Sequence, residues 1–572
     1  MKKPSAQEIL NQYRIEKQAA YKARQSKMAH WLQNEELYNG VIQKTLLTKS
    51  NLHVPKVFEG VQDMASRLGE LPSIEYDTKP EGDENAADIM KHLFLYDGRK
   101  SDLEHLWELS KIEAGLYGRP IFKIIPSSDG VAFQLVDTMS FLISPLSPTI
   151  GSALYCGQQF IYKTAAQLME EAEEFGYDKK EVMKARKAVA ETISSENPEV
   201  SQRNLRLAYL GFDNVNLAGA KVIELTEWYT HLVNEKGLPE KYLLTVANDQ
   251  FLLRAVPLTE VGLEDKFPFI SRALFPRLVS FWVPAVADIY RDPNLAMDVI
   301  MNQNIDNNTY RNFGMLFVDS TSGLKQSAVV PRPLGVTPIN VGAKSVKDAV
   351  LPYNPPDISQ STALSTQIET LADNASGLGF VLPMGRSKMS ASQLNLEMSL
   401  IEQRLSTSKQ NLVSMAKDMG QIYADLIKKN LTTPRKVKVF GMKDVTISGV
   451  TKANFKNVEF IAKATAKENV QQNKALRQKS IQALYAMFKD DQNVPNQPYL
   501  RELVAEEFGL TPTQIDKLMT QNEKPQAAQP VPPAPVAPGM PGAVPKQPEI
   551  PAMPNNPQMS AVQEAAQIGA RP

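Results

Sequence analysis

"GLGFVLPMGRSKMSASQ", residues 377–393, is the passage on which the reading of this chain turns. Three glycines, an Arg-Ser pair and a helix start give it the outline of a phosphate-gripping loop. Such a loop reads G-x-x-x-x-G-K-[ST], with a strand before it and a helix after it. Here Gly379 and Gly385 are separated by five residues, and Arg386 stands where lysine belongs. The intervening FVLPM is apolar, and Pro383 has no N–H to offer a phosphate. The preceding LADNASGLG ends a helix rather than a strand. The passage therefore reads as a loop at the foot of a long helix, not as a nucleotide site.

Behind the loop, Ser390 and Gln393 form an S-x-x-Q capping box. Leu394, Met398, Ile401, Leu405, Leu412, Met415, Met419, Ile422 and Leu426 follow at spacings of three and four, with one doubled step that skips Ser408. This predicts a helix over 390–430, about 60 Å long. Its heptad seam suits either a core or a partner helix. Ahead of the loop, SQSTALSTQIETLADNASG predicts a shorter helix with Leu364, Ile368, Leu371 and Ala375 on one stripe. Residues 315–341, MLFVDSTSGLKQSAVVPRPLGVTPINV, read as short strands broken by Pro and Gly. Before them, Asp292-Pro293 predicts a helix start, Asp as cap and Pro at the first position, running to near Asn312. Leu295, Val299, Met301 and Ile305 give this helix a thin apolar edge. The rest is rich in amides: Asn302, Gln303, Asn304, Asn307, Asn308 and Asn312. A helix polar over most of its girth must face water or pack edge-on.

The first 275 residues predict a mixed α+β body. Residues 5–40 read as a helix stopped by Asn39-Gly40, with a solvated basic face of Lys17, Lys22, Arg24 and Lys27. Val57, Val61, Met64 and Leu68 mark a buried stripe between Pro55 and Pro72. A helical stretch over 86–117 precedes a hairpin, IFKII and VAFQLV about Ser-Ser-Asp-Gly. Residues 164–209 look helical; VIELTEWYTHLV and KYLLTVANDQFLLRAV return to strands, with Asn248-Asp249 as a turn. KVKVFGMKDVTI adds a strand pair, and residues 466–519 hold two or three helices. Thirteen of the 39 prolines fall after position 520, which predicts a disordered or polyproline-II tail.

Bulk properties narrow the function. Sixty-three basic residues balance sixty-three acidic ones, so a broad grip on nucleic acid is not expected. The single cysteine, Cys156, allows no internal disulfide and reads as a small buried hydrophobe. MKKPSAQEIL lacks the apolar run of a signal peptide, and no stretch suits a spanning helix. His30, His53, His92, His105 and His231 are scattered, without metal-ligand spacing. There is no G-x-S-x-G elbow, and Glu35-Glu36 and Glu173-Glu174 read as solvated helix faces. No catalytic residue, metal or cofactor is expected.

The order of elements resembles the portal (head-to-tail connector) proteins of tailed bacteriophages, particularly the short-tailed, podovirus-like type. VADIYRDPNLAMDVIMNQNIDNNTYRN resembles that family's first stem helix, MLFVDSTSGLKQSAVVPRPLGV its clip, and SQSTALSTQIETLADNASG its second stem helix. GLGFVLPMGRSKMSASQLNLEMSLIEQRL resembles the tunnel loop running into the wing helix. The resemblance implies an α+β portal fold: an N-terminal wing over 1–282, stem helix 1 over 283–312, and a β-rich clip over 313–356. Stem helix 2 over 357–376, a tunnel loop over 377–389 and a long wing helix over 390–430 would follow. A β wing segment over 431–465, a helical crown over 466–520 and the Pro-rich tail over 521–572 complete it.

The same resemblance implies a homo-oligomeric ring at one capsid vertex of the virion, normally of twelve subunits, assembled in the host cytoplasm. Double-stranded DNA would pass through it during packaging and ejection. The large terminase subunit, tail adaptor proteins, major capsid protein and scaffolding protein are the implied partners; no membrane is. Twelve helices about 10 Å apart leave a hole of roughly 25–30 Å, enough for a duplex. Asn302, Gln303, Asn304, Asn307 and Asn308 would wall the channel without clamping phosphates, since a Lys/Arg wall would hold DNA through counterion release. Phe380, Val381, Leu382, Met384, Arg386 and Lys388 would form the tunnel loop, the last two as a sparse cationic ring. Another head-tail adaptor ring, a packaging NTPase and a coiled-coil scaffold are the rival readings; the NTPase lacks its P-loop.

Overall fold

Residues 391–430 form one 40-residue helix, and its apolar seam from Leu405 to Leu426 is covered by its own chain. Leu405, Leu412, Met415, Met419 and Leu426 are buried in the main core. Ser408, at the doubled step, is buried too: its hydroxyl donates to the Leu274 carbonyl at 3.1 Å. The seam skips a hydrophobe there because a backbone oxygen crosses the helix. An intermolecular role for residues 405–426 gives way to an internal one. The computed structural model describes residues 4–41, 48–79, 84–127, 130–192, 206, 222–234, 236–263, 266–313, 315–318, 345, 350–353, 357–377, 391–431, 435–438, 446–450, 455 and 458–465. The expected crown, the Pro-rich tail, the loop over 378–390 and most of the expected clip lie outside them, as do the side chains of Leu394, Met398 and Ile401.

Helix α1 (Ala6–Tyr38) opens on a capping box between Ser5 and Glu8 and ends at Asn39. Helix α2 (Lys56–Arg67) buries Val57, Val61 and Met64, with Leu68 just beyond, the stripe expected from their spacing. Strand β1 (Ser73–Lys79) follows, and the helical stretch after it divides at Ser101-Asp102 into α3 (Glu84–Lys100) and α4 (Leu103–Tyr117). Strands β2 (Ile121–Ser127) and β3 (Gly130–Val136) make the expected hairpin. Then come β4 (Phe141–Ile143), β5 (Cys156–Thr164), α5 (Ala165–Glu170), α6 (Ala172–Phe175), α7 (Lys179–Thr192), β6 (Val222–Val233), β7 (Pro239–Ala247), β8 (Phe251–Pro257) and β9 (Phe269–Ile270). Strands β4 to β8 form one antiparallel sheet in sequence order, and β9 joins the edge of the β2–β3 hairpin.

The two faces of the five-stranded sheet are covered differently. Leu142, Trp228, Leu244 and Val246 pack under α1 residues Ile9, Leu10 and Tyr13, while Ile223, Leu225 and Leu253 pack under α5 and α7. Alternation along β6 and β7 sends neighbours to opposite faces. This placement overturns the solvated basic face of α1 at two of its four residues, while Lys22 is exposed and Lys27 half-buried. Lys17 is buried with its ammonium 2.6 Å from Asp249, in the β7–β8 turn. Arg24 is buried and donates to the carbonyls of Met139 and, at 3.2 Å, Phe141. Both charges serve the sheet's turn and edge, which no spacing along α1 reveals.

Helix α8 (Val286–Phe313) begins two turns before the expected cap, so Pro293 lies inside it. Val286, Ala287 and Tyr290 are buried, and Asp288 accepts the Ala285 N–H at 3.0 Å, which starts the helix early. Core packing outweighs the hydrogen bond that Pro293 cannot donate. Strands β10 (Met315–Val318) and β11 (Val350–Tyr353) pair antiparallel and lead into α9 (Ser359–Ser376). The long helix is α10 (Ala391–Asn430). After it, β12 (Arg435–Lys438) pairs with β13 (Thr446–Val450), and β14 (Glu459–Thr465) pairs with β1, Ser73 opposite Thr465. The α10–β14 segment thus closes back onto the N-terminal body.

Candidate functional site

Helices α8 and α9 run antiparallel. Near one end the Tyr290 hydroxyl meets Asp373 at 3.0 Å and Ser376 at 2.8 Å; near the other Ser361 donates to Asn304 at 2.7 Å. Burial pushes the Tyr290 phenol well above its ordinary pKa. Gly60 of α2 lies against Tyr290: a Cβ there would stand 2.5 Å from the ring, so only glycine lets α2 and α8 come this close. Lys56 ties α2 to α9 through Glu369 and also meets Glu59 at 2.7 Å. Burial opposes the Lys56 charge, but those carboxylates hold its pKa above normal.

A second face of α8 carries four short polar side chains at four-residue spacing. Asn294 accepts the Val57 N–H at 3.0 Å, and Asp298 accepts the Val54 N–H at 2.7 Å. Asn302 accepts the Leu52 N–H at 2.6 Å and donates to the Leu52 carbonyl at 2.8 Å. Asp306 accepts from the Lys49 N–H at 2.7 Å and the Ser50 N–H at 2.9 Å. Residues i, i+4, i+8 and i+12 share one helix face, and here that face reads the backbone of residues 49–57 as a ladder. Burial opposes the Asp306 charge, but together the bonds from Lys49 and Ser50 pull its carboxyl below its usual pKa. His53 completes the strap, one ring nitrogen 2.9 Å from Asp298 and the other 3.0 Å from the Leu37 carbonyl. Beneath it lies a cavity of about 180 Å³ lined by Leu37, Leu52, Leu295 and Val299, with Glu36 and His53 among its polar groups.

The amide-rich signal therefore divides. Asn302 is buried and committed to the strap, which withdraws it from any water-facing wall. Gln303 and Asn308 are exposed, and Asn304 and Asn307 are half-buried. Asn294, Asp298 and Asp306 escaped the sequence reading; their spacing, N-x-x-x-D-x-x-x-N-x-x-x-D, was the available signal. Phe380, Val381, Leu382, Met384, Arg386 and Lys388 lie outside the described residues. On α9 the predicted stripe exists but faces outward: Leu364 is 48% and Leu371 68% exposed.

Charged groups also gather under α4. Arg206 donates to Glu35 at 2.7 Å and to Asp137 at 2.5 Å, Tyr117 donates to Glu35, and Thr138 donates to Glu113 at 3.0 Å. Burial first, then the Asp137 charge, raise the Glu113 carboxyl to about 8 against the pull of Arg206. Glu35, read as a solvated residue, is buried, and burial raises its pKa too. Among the described residues no three His, Cys, Asp or Glu side chains converge as metal ligands, and no helix is long and apolar enough to cross a membrane.

Comparison with known proteins places this architecture. No curated protein matches the chain. Among solved structures, a chain titled "Virion of native gene transfer agent (GTA) particle" is similar over 84% of this chain and 93% of its own, at 9% identity and a TM-score of 0.33. The family described as Phage SU10 portal protein matches residues 121–533, a span reaching from β2 past β14 that takes in α8, α9 and α10. Because that match covers more than two thirds of its length, the chain belongs to the phage SU10 portal protein family.

Proposed function

We propose that copies of this chain close into a ring at one capsid vertex, normally twelve, through which double-stranded DNA is packaged and later ejected. The observation that carries this reading is the antiparallel α8–α9 pair in a portal-family chain. It leads into a β pair at its far end, and α9 ends at Ser376 ahead of α10 in the chain. Exposed Gln303 and Asn308, with half-buried Asn304 and Asn307, are the candidate channel wall; Asn302 is not. Uncharged amides stay wetted and leave a sliding duplex unclamped, whereas lysines there would hold it. Phe380, Val381, Leu382 and Met384 are proposed to pack loop against loop, with Arg386 and Lys388 touching phosphates transiently. The clip would dock the large terminase subunit during packaging and tail adaptors afterwards, while the wing meets the major capsid and scaffolding proteins. The role is structural rather than enzymatic.

Negative-stain microscopy of the purified protein tests the ring: annuli with a central hole are expected, and monomers at all concentrations would refute it. In a packaging assay, Arg386→Gln with Lys388→Gln should lower genome retention. Unchanged packaging and retention would remove the phosphate contacts.

A further inference from the structure

The α8–α9 pair has two unlike outer faces. On α9, Leu364 and Leu371 are 48% and 68% exposed, and Ala375 beside them is exposed. The two leucines are seven residues apart, about two turns, so they share a stripe. Helix α9 contains no lysine or arginine. Its only charged residues, Glu369 and Asp373, are engaged inside the subunit by Lys56 and Tyr290. What remains outward is Ser, Thr, Gln, Asn, Ala and Leu. A helix that stays in water carries charge on its outer face; depletion of charge around an apolar stripe is the mark of an interface core.

The complement lies on the other side of α8. Leu295 is nine residues from Asn304, and Val299 is nine from Tyr290, the two residues that meet α9. Nine residues are about two and a half turns, which points Leu295 and Val299 away from α9. There, with Leu37 and Leu52, they line the cavity of about 180 Å³ under the strap. A dry cavity of about 150 Å³ admits benzene, so this one has room for a leucine-sized group. Leu295 and Leu52 are 37% and 48% exposed at it. A projecting stripe and a receiving hollow on opposite sides of one helix pair make a head-to-tail contact, the kind that generates closed rings.

We propose that Leu371 of one subunit seats in the Leu37–Leu52–Leu295–Val299 hollow of the next copy of this chain, with Leu364, two turns away, against its rim. This rests on the ring reading and assigns its contact. The strap is one wall of the hollow, so the Asx ladder on α8 shapes an intersubunit socket as well as an intramolecular joint.

Cysteine pairing tests it on the full-length chain, where the one native thiol, Cys156, is fully buried. Under mild oxidation, Leu371→Cys combined with Leu295→Cys should give a ladder of covalent oligomers, and either substitution alone should not, because a heterologous contact never meets its own copy. Separately, Leu364→Gln with Leu371→Gln should weaken assembly at least tenfold while leaving the unfolding of the subunit unchanged, since both side chains are exposed. If the unaltered protein forms annuli but the double-cysteine protein gives no ladder and the Gln variant assembles normally, the socket is wrong and the ring stands. Dimers from Leu371→Cys alone would also overturn it. So would a thiol introduced by Leu371→Cys that is shielded from maleimide only when DNA fills the ring, which would turn the stripe towards the duplex. An unaltered protein that never assembles would take the ring reading down with it.

Discussion

Asn302→Ala isolates one rung of the strap. The carboxamide makes two bonds to Leu52, at 2.6 and 2.8 Å, and a third to the Asp298 carbonyl at 2.8 Å. Each neutral hydrogen bond is worth about 1 kcal/mol net, so losing both strap bonds costs about 2 kcal/mol. Alanine recovers about 0.5 kcal/mol of helix propensity, leaving a net loss of about 1.5 kcal/mol. That corresponds to roughly tenfold faster opening of the strap. Hydrogen–deuterium exchange of a peptide covering residues 48–57 reads it directly, with β7 as the internal reference. Asn302→Asp should be worse, about 3 kcal/mol, because it keeps the acceptor for the Leu52 N–H but turns a carboxylate towards two carbonyls. Exchange over 48–57 unchanged within twofold in Asn302→Ala would refute the ladder as what holds the strap.

Three other perturbations follow from the packing. Gly60→Ala places a methyl 2.5 Å from the Tyr290 ring, so α2 and α8 must part; a loss of about 1–3 kcal/mol is expected in denaturant unfolding. Ser408→Leu completes the heptad seam but removes the bond to Leu274 and overfills a buried site, so it should cost about 2–4 kcal/mol rather than strengthen association, as unfolding midpoint and native mass will report. Glu113, with a folded pKa raised to about 8, binds a proton between roughly pH 4.5 and 8 that the unfolded chain releases. Its contribution to stability therefore falls as pH rises through that window. Glu113→Gln should flatten the fall and stabilise the protein by about 1–3 kcal/mol at pH 8.5, with little change at pH 4.5, in paired unfolding curves.

Much of the element inventory was legible because periodicity is local. The stripe of α2, the β2–β3 hairpin, the Asn248-Asp249 turn and the length of α10 each follow from spacing or turn chemistry within a few residues. The errors share a cause. The local cap reading at Asp292-Pro293 starts α8 too late, because burial of Val286, Ala287 and Tyr290 extends the helix through it. Lys17 and Arg24 find their partners, Asp249, Met139 and Phe141, in and beside a sheet more than a hundred residues away in the chain. The amides of α8 formed one signal in the sequence and have two fates in the fold.

Residue order alone determined much of where the described residues are helical and where they turn, including the long helix ending at Asn430, since those depend on neighbours within one or two turns. It also showed which faces are apolar. Tertiary structure decided what covers each face. The seam of α10 met β1 and β14 within the same subunit, while the stripe of α9 stayed exposed. Both stripes are the same kind of pattern, because a hydrophobic face gains free energy from any apolar partner and does not specify which. Only the path of the rest of the chain chooses between its own core and the surface it presents.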